Sequence, residues 1–163
     1  MLRLFGDKLR ALRQRHQLTQ AALARLLPPT TRGHINNLEV GRKEPSLDFV
    51  ARVATLSQLR VDDLVRDEIA LPSDGSQELG SGDGETRQHL GAKLRYLRMR
   101  RGMTQADLAQ ELGLQTQAHI SLVENGQSDV SLGLALRLAE VLGVAVDYLV
   151  RDSISVEDAG DMR

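Results

Sequence analysis

Displaced by 85 residues, the chain falls back onto itself without a gap. Residues 5–69 laid on residues 90–154 give 29 identities in 65 positions. The matches span the whole stretch, from Lys8-Leu9-Arg10 on Lys93-Leu94-Arg95 to Leu64-Val65-Arg66-Asp67 on Leu149-Val150-Arg151-Asp152. A solenoid needs three or more units to bury a continuous core, so a two-copy repeat predicts two separately folded domains. The expected division is domain 1 over 1–69, a linker over 70–89, domain 2 over 90–154 and an acidic tail over 155–163.

Each module is close to the lower size at which a hydrophobic core sustains a fold unaided. The chain has no cysteine, so disulfides and cysteine metal sites are excluded. It opens without an apolar run long enough for a signal peptide or a membrane span, and the expectation is a cytoplasmic protein with no membrane contact. The net charge of −1 hides an asymmetry. Domain 1 carries 11 Lys and Arg against 8 Asp and Glu over 5–69, whereas domain 2 balances 7 against 7 over 90–154. A basic first copy beside a neutral second one indicates that the copies have diverged in task.

Each copy reads as five short helices. Leu4, Leu9 and Leu12, and Leu90, Leu94 and Leu97, set an apolar stripe at helical spacing. Thr19 and Thr104 stand as N-caps ahead of Gln-Ala-x-Leu-Ala, a helix stopped by Pro28-Pro29 or by Gly113. Thr31 and Thr116 are placed to cap a third helix ending at Gly41 or Gly126, and Ser46 and Ser131 to cap a fourth. Val61–Arg66 and Val146–Arg151 supply a short fifth. No stretch alternates as a strand does, so the expected class is all-α. Residues 70–89, with four glycines among Ser, Asp and Glu, read as a Gly-rich coil spanning roughly 25 Å.

Two short helices about a turn, the second opening on a Thr cap and polar residues, make a helix-turn-helix, whose second helix enters the DNA major groove. The ordered series is Leu-Arg-x-x-Arg, Thr-Gln-x-x-Leu-Ala, Ile-x-x-x-Glu-x-Gly, Ser-Leu and Val-x-x-Asp-x-Leu, with Leu59 in place of the valine in the first copy. It resembles the Cro/CI-like (XRE) helix-turn-helix family in both copies, which implies two tandem five-helix lambda-repressor-like domains. The seven residues from Gly113 to Ile120, and from Pro28 to Ile35, are one more than the family pattern. Counted back from the isoleucine, Thr31 and Thr116 still fall on the recognition-helix cap, and the extra residue falls in the turn.

The resemblance implies that Gln20 and Gln105 anchor the DNA backbone and that Thr31 and Thr116 cap the recognition helix beside a phosphate. In domain 1 the groove-facing set is Arg32, Gly33, His34, Asn36 and Asn37, in which arginine suits guanine and asparagine suits adenine. Arg42 and Lys43 suit phosphates. In domain 2 the set is Gln117, Ala118, His119, Ser121 and Leu122, followed by Asn125. Leu122 replaces Asn37 and Gln127-Ser128 replaces Arg42-Lys43, so domain 2 is expected to be the weaker reader. Glu39 and Glu124 are expected to pair with a first-helix arginine, Arg10 or Arg95. Arg13, Arg15, Arg98, Arg100 and Arg101 read as a solvated helix face, part of it facing phosphate. His34 and His119 lack a second ligand four residues on, so a metal reading is set aside.

No Ser/His/Asp set, glycine-rich phosphate loop or paired-carboxylate cleft is present, so catalysis and cofactors have no candidate residues. Two functions follow. One is a sequence-specific double-stranded DNA-binding transcription regulator, a repressor by resemblance, with both readers on one chain or in a homodimer. The other is an antitoxin-like or anti-activator regulator whose domain 2 takes a protein partner. The neutral charge of domain 2, outward Leu122 and an isoelectric point near 6.4 favour the second; Arg32, Asn36, Asn37, Arg42 and Lys43 favour the first.

Overall fold

The computed structural model describes residues 4–67, 70–71, 79–80 and 89–151. The chain divides into two compact units, Met1–Gly84 and Glu85–Arg163. Among the described residues all regular structure is helical. Unit 1 holds α1 (Phe5–Arg15), α2 (Gln20–Leu26), α3 (Arg32–Glu39), α4 (Leu47–Leu56) and α5 (Val61–Val65). Unit 2 holds α6 (Leu90–Arg100), α7 (Gln105–Glu111), α8 (Ala118–Glu124), α9 (Leu132–Val141) and α10 (Val146–Val150). Of the expected linker only Ala70, Leu71, Leu79, Gly80 and His89 are described, and the acidic tail lies outside the described residues.

The side-chain oxygens of Thr19, Thr31, Ser46, Thr104 and Ser131 each accept the N–H three residues on, at 3.1–3.2 Å. Thr104 forms a full capping box, because Asp107 accepts its N–H at 2.7 Å in return. The α1 stripe differs from expectation in one member. Phe5, Leu9 and Leu12 point inward and Leu4 is 41% exposed. Phe5 is the true counterpart of Leu90, and a one-residue shift turns a side chain about 100° around a helix. Phe5 meets Phe49 of α4 edge-on, with ring centroids 6.4 Å apart.

In unit 1, α1 lies across the end of α3, and the crossing is set by a glycine. A Cβ on Gly6 would stand 2.5 Å from the Leu38 carbonyl oxygen. Gly91 repeats this in unit 2, where a Cβ would be 2.6 Å from the carbonyl oxygens of both Val123 and Glu124. The other end of each module is closed by a buried lysine. Lys8 Nζ donates to the carbonyls of Asp63 and Arg66 at 2.6 and 2.5 Å. Lys93 Nζ donates to those of Tyr148, at 2.9 Å, and Arg151. Each ammonium sits where α5 or α10 leaves its last carbonyls without helical partners, the negative end of the helix dipole. Arg137 ties α9 to α7 by donating to the Leu112 carbonyl at 2.9 Å. These contacts fix α1, α4 and α5 as a base for the α2–turn–α3 pair, with α6, α9 and α10 doing the same for α7–turn–α8.

Candidate nucleic-acid interface

Helix α3 is amphipathic: Ile35, Leu38 and Glu39 are buried, whereas Thr31, Arg32 and Gly33 at its start are exposed. A buried carboxylate is tolerated only when paired and hydrogen-bonded. Arg13 satisfies Glu39 with two parallel bonds, Nε to Oε1 at 2.6 Å and Nη2 to Oε2 at 3.1 Å, while its Nη1 donates to the Leu18 carbonyl at 3.0 Å. Gln20 Nε2 adds a third donor to Glu39, at 2.9 Å. Burial works against ionisation of Glu39, but the bonds from Arg13 and Gln20 outweigh it and hold the carboxyl below its ordinary range.

Unit 2 repeats the network. Arg98 reaches Glu124 at 2.6 and 3.1 Å and the Met103 carbonyl at 2.8 Å, and Gln105 reaches Glu124 at 2.9 Å. The expected partner was a different arginine. Arg10 stands 3.7 Å from Glu39 and its side chain is 45% exposed, whereas that of Arg13 is 15% exposed. The two lie one turn apart on the same face of α1, and only Arg13 presents its fork squarely to the carboxylate. Arg13 and Arg98 are therefore internal struts rather than members of a solvated face.

The expected reader set of domain 1 is brought to one end of the helix-turn-helix, with distinctions within it. Thr31 caps α3 and is exposed, and Arg32 is the first helical residue and exposed as well. Asn36 and Asn37 are half-buried. Gln20 donates to Asn36 Oδ1 at 3.4 Å as well as to Glu39, so both hydrogens of its amide are directed inward. His34 is half-buried against α4, its ring edge-on to Phe49 with centroids 5.5 Å apart. Burial, then the charge of Lys43, pulls the imidazole below its ordinary value and favours its neutral form. Arg42 and Lys43 are exposed, with their N–H groups donating to the Asn37 carbonyl at 2.8 and 3.3 Å beyond the left-handed Gly41.

In domain 2, Gln105 is half-buried on Glu124, Gln117 and Asn125 are exposed, and His119 and Ser121 are half-buried. Thr116 does not cap its helix. The flanking residue of α8 is Gln117, already helical at φ −66°, ψ −19°, with no side-chain cap. A capping residue needs extended backbone to swing its oxygen onto the helix, as Thr31 does at φ −109°, ψ 158°. Here Gly113 ends α7 in the left-handed region, and Leu114 N–H closes back on the Ala109 carbonyl at 2.8 Å. The chain then enters α8 one residue later, which leaves Thr116 one position too early.

Sequence reading missed Lys8 and Lys93, which hold the module shut below the interface. Their signal was present, since both are identical between copies inside an apolar stripe. No cluster of His, Cys, Asp or Glu suited to a metal is found among the described residues. No described helix is long and apolar enough to cross a membrane.

Comparison with known proteins finds one match in each copy. Residues 4–69 match the family described as "Helix-turn-helix domain", and residues 94–149 the family described as "Helix-turn-helix". An uncharacterized HTH-type transcriptional regulator of Methanocaldococcus jannaschii is 42% identical over 55 residues, a match spanning 34% of this chain and 82% of that protein. The HTH-type transcriptional regulator PrpR of Mycobacterium tuberculosis is 37% identical over 68 residues, spanning 42% of this chain but only 14% of PrpR, so that likeness is one of domain alone. Among solved structures, the crystal structure of the hypothetical transcription factor NHTF from Neisseria has 30% sequence identity and a TM-score of 0.38, covering 41% of this chain and 76% of that one. Matched at both repeats, and over most of a relative's length, the chain belongs to the helix-turn-helix family of DNA-binding transcription regulators, Cro/CI (XRE) type, and carries the domain twice.

Proposed function

We propose that the chain is a sequence-specific binder of double-stranded DNA that represses transcription, laying α3 and α8 in major grooves. The observation that carries this reading is α3 itself: an outward arginine at the start of a capped helix, locked to α1 and α2 by Arg13, Glu39 and Gln20. Such rigidity lets Arg32 meet guanine bidentately, while Asn36 and Asn37 border the same groove. Thr31, Arg42 and Lys43 face phosphates and set affinity and register. His34 is given a packing role, against Phe49. In domain 2, Gln117, Ser121 and Asn125 form the polar reading edge, with Gln105, Thr116 and His119 at its margin. Gln20 and Gln105 support the readers through Glu39 and Glu124 before they touch any phosphate.

The test is a mobility-shift titration on DNA upstream of the chain's own gene, with Arg32→Ala and Gln117→Ala assayed separately. Each substitution should weaken binding and relax preference at one base pair, by about tenfold to a hundredfold. Lys43→Ala should weaken binding to all sequences alike and lower the salt slope by about one. Absence of any shift at low salt would overturn the reading. Repression adds a second requirement, that the bound chain reduce transcription from that DNA in a purified system.

A protein-binding role for domain 2 is favoured by one observation, the exposure of Leu122 and Met99 at 42% and 60%. Under that reading Gln117→Ala leaves the DNA shift untouched.

A further inference from the structure

Helices α3 and α8 occupy the same place in their modules but offer different chemistry outward. On α8 the exposed positions Ala118, Leu122 and Asn125 follow at helical spacing and form one stripe. Leu122 is 42% exposed, and Ala118 precedes it by one turn on the same face. On α3 the counterparts of Ala118 and Leu122 are Gly33 and Asn37, which offer no methyl groups; the exposed apolar side chain of domain 1, Val40 at 46%, follows α3 at its C-cap, where domain 2 has Asn125. The apolar stripe is bordered by hydrogen-bonding side chains, Gln117 and Ser121, with Asn125 Nδ2 3.5 Å from Ser121 Oγ. No carboxylate faces outward along this helix, since Glu124 is turned inward to Arg98 and Gln105. A small apolar stripe with polar borders and no acidic group fits a surface that is itself polar, anionic at its edges and dotted with isolated methyl groups.

The major groove is such a surface, and thymine is the base that places a methyl group there. We infer that Leu122, seconded by Ala118, is a specificity-determining residue of domain 2 that packs on thymine 5-methyl groups. Domain 2 would then prefer a thymine-containing half-site, while domain 1 reads hydrogen bonds through Arg32, Asn36 and Asn37. The two half-sites differ in kind, one chosen by methyl contact and the other by donors and acceptors. This inference rests on the proposed placement of α8 in a major groove and adds to it the class of base that is read.

Replacing thymine by deoxyuridine removes the methyl group and keeps the pairing edge, so it isolates the contact. Duplexes enriched from a randomised pool by the full chain are footprinted to assign each half-site. The thymines of one half at a time are then replaced by deoxyuridine. For the wild-type chain, uracil in the domain 2 half should weaken binding about fourfold per contacted methyl, the equivalent of one buried methylene-sized group. Leu122→Asn, which copies domain 1 at an exposed position, should bind thymine and uracil duplexes equally. Uracil in the domain 1 half should have the same effect on the wild type and on Leu122→Asn. Equal thymine preference in the wild type and Leu122→Asn, or none in either, overturns the inference. Failure of the underlying reading looks different: domain 2 leaves no footprint and Gln117→Ala changes nothing, as expected if Leu122 serves a protein partner.

Discussion

At the scale of single residues, each helix-turn-helix rests on a few buried charges. Glu39 is held below its ordinary pKa of 4.5 by Arg13 and Gln20 against the cost of burial, and Glu124 by Arg98 and Gln105. A carboxylate with a depressed folded pKa contributes stability that is fully present above its unfolded value. That stability is lost as pH falls through the folded one. His34 acts in the same direction, because its pKa lies below the ordinary 6.5 and the unfolded chain therefore binds the proton more readily. Glu39→Gln should cost domain 1 about 2–3 kcal/mol at neutral pH and flatten its acid limb below about pH 4.5, read by urea melts at a series of pH values. Glu124→Gln should do the same to domain 2. A second residue-level prediction concerns Gly6, where Ala needs α1 and α3 to part. Gly6→Ala should lower stability by about 1–3 kcal/mol, well beyond the few tenths of a surface change. The structural role of Glu39 was legible from sequence, and the expected Arg10 does pair with it at 3.7 Å, but its principal partner, Arg13, was not. Arg10 and Arg13 share a helix face one turn apart, and a difference of about 1 Å in reach, 3.7 against 2.6 Å, decides between them.

At the scale of elements, helices were readable wherever a cap, an apolar period and a breaker agreed, as at Thr19, Ser46 and Ser131. Where the turn entered the matter, reading by register failed. Thr31 and Thr116 occupy the same repeat position, yet Pro28-Pro29 leads the chain into α3 with Thr31 extended. Gly113 leads it into α8 through a Gln117 that is already helical. Backbone conformation in a turn depends on the residues that close it, which a match of cap residues does not reveal. Thr31→Ala should therefore destabilise domain 1 by about 1 kcal/mol, the usual worth of a capping oxygen, whereas Thr116→Ala should stay within about 0.5 kcal/mol of the parent. Thermal melts of the full chain, with amide exchange used to assign the loss to α3 or α8, separate the two. Equal losses would mean that Thr116 caps α8 after all.

At the scale of the whole molecule, the proposed function puts two readers on one chain, and the length of chain between them would limit the sites they can share. Counted from Asp67 to Leu90, the connection has 23 chain steps and a reach of roughly 80 Å. One point along it, Gly80, is seated on unit 1. Gly80 N–H donates to the Leu56 carbonyl at 2.7 Å, satisfying an orphan group at the end of α4. A Cβ on Gly80 would lie 2.9 Å from the Thr55 carbonyl oxygen, so the seat accepts glycine alone without rearrangement. From Gly80 to Leu90 only ten steps remain, a reach of roughly 35 Å. Successive major grooves on one face of the duplex lie about 34 Å apart, so the short tether matches adjacent half-sites and the long one would serve more distant pairs. Two half-sites moved apart by whole turns should therefore lose joint binding early in the wild-type chain. Gly80→Val, which unseats the contact, should extend tolerance by about one turn while weakening the adjacent-site complex through a lower effective concentration. The measurement is affinity against half-site spacing for both chains. Superimposable profiles would mean that the seat at α4 opens at no cost on DNA and that residues 68–89 act as one full-length tether.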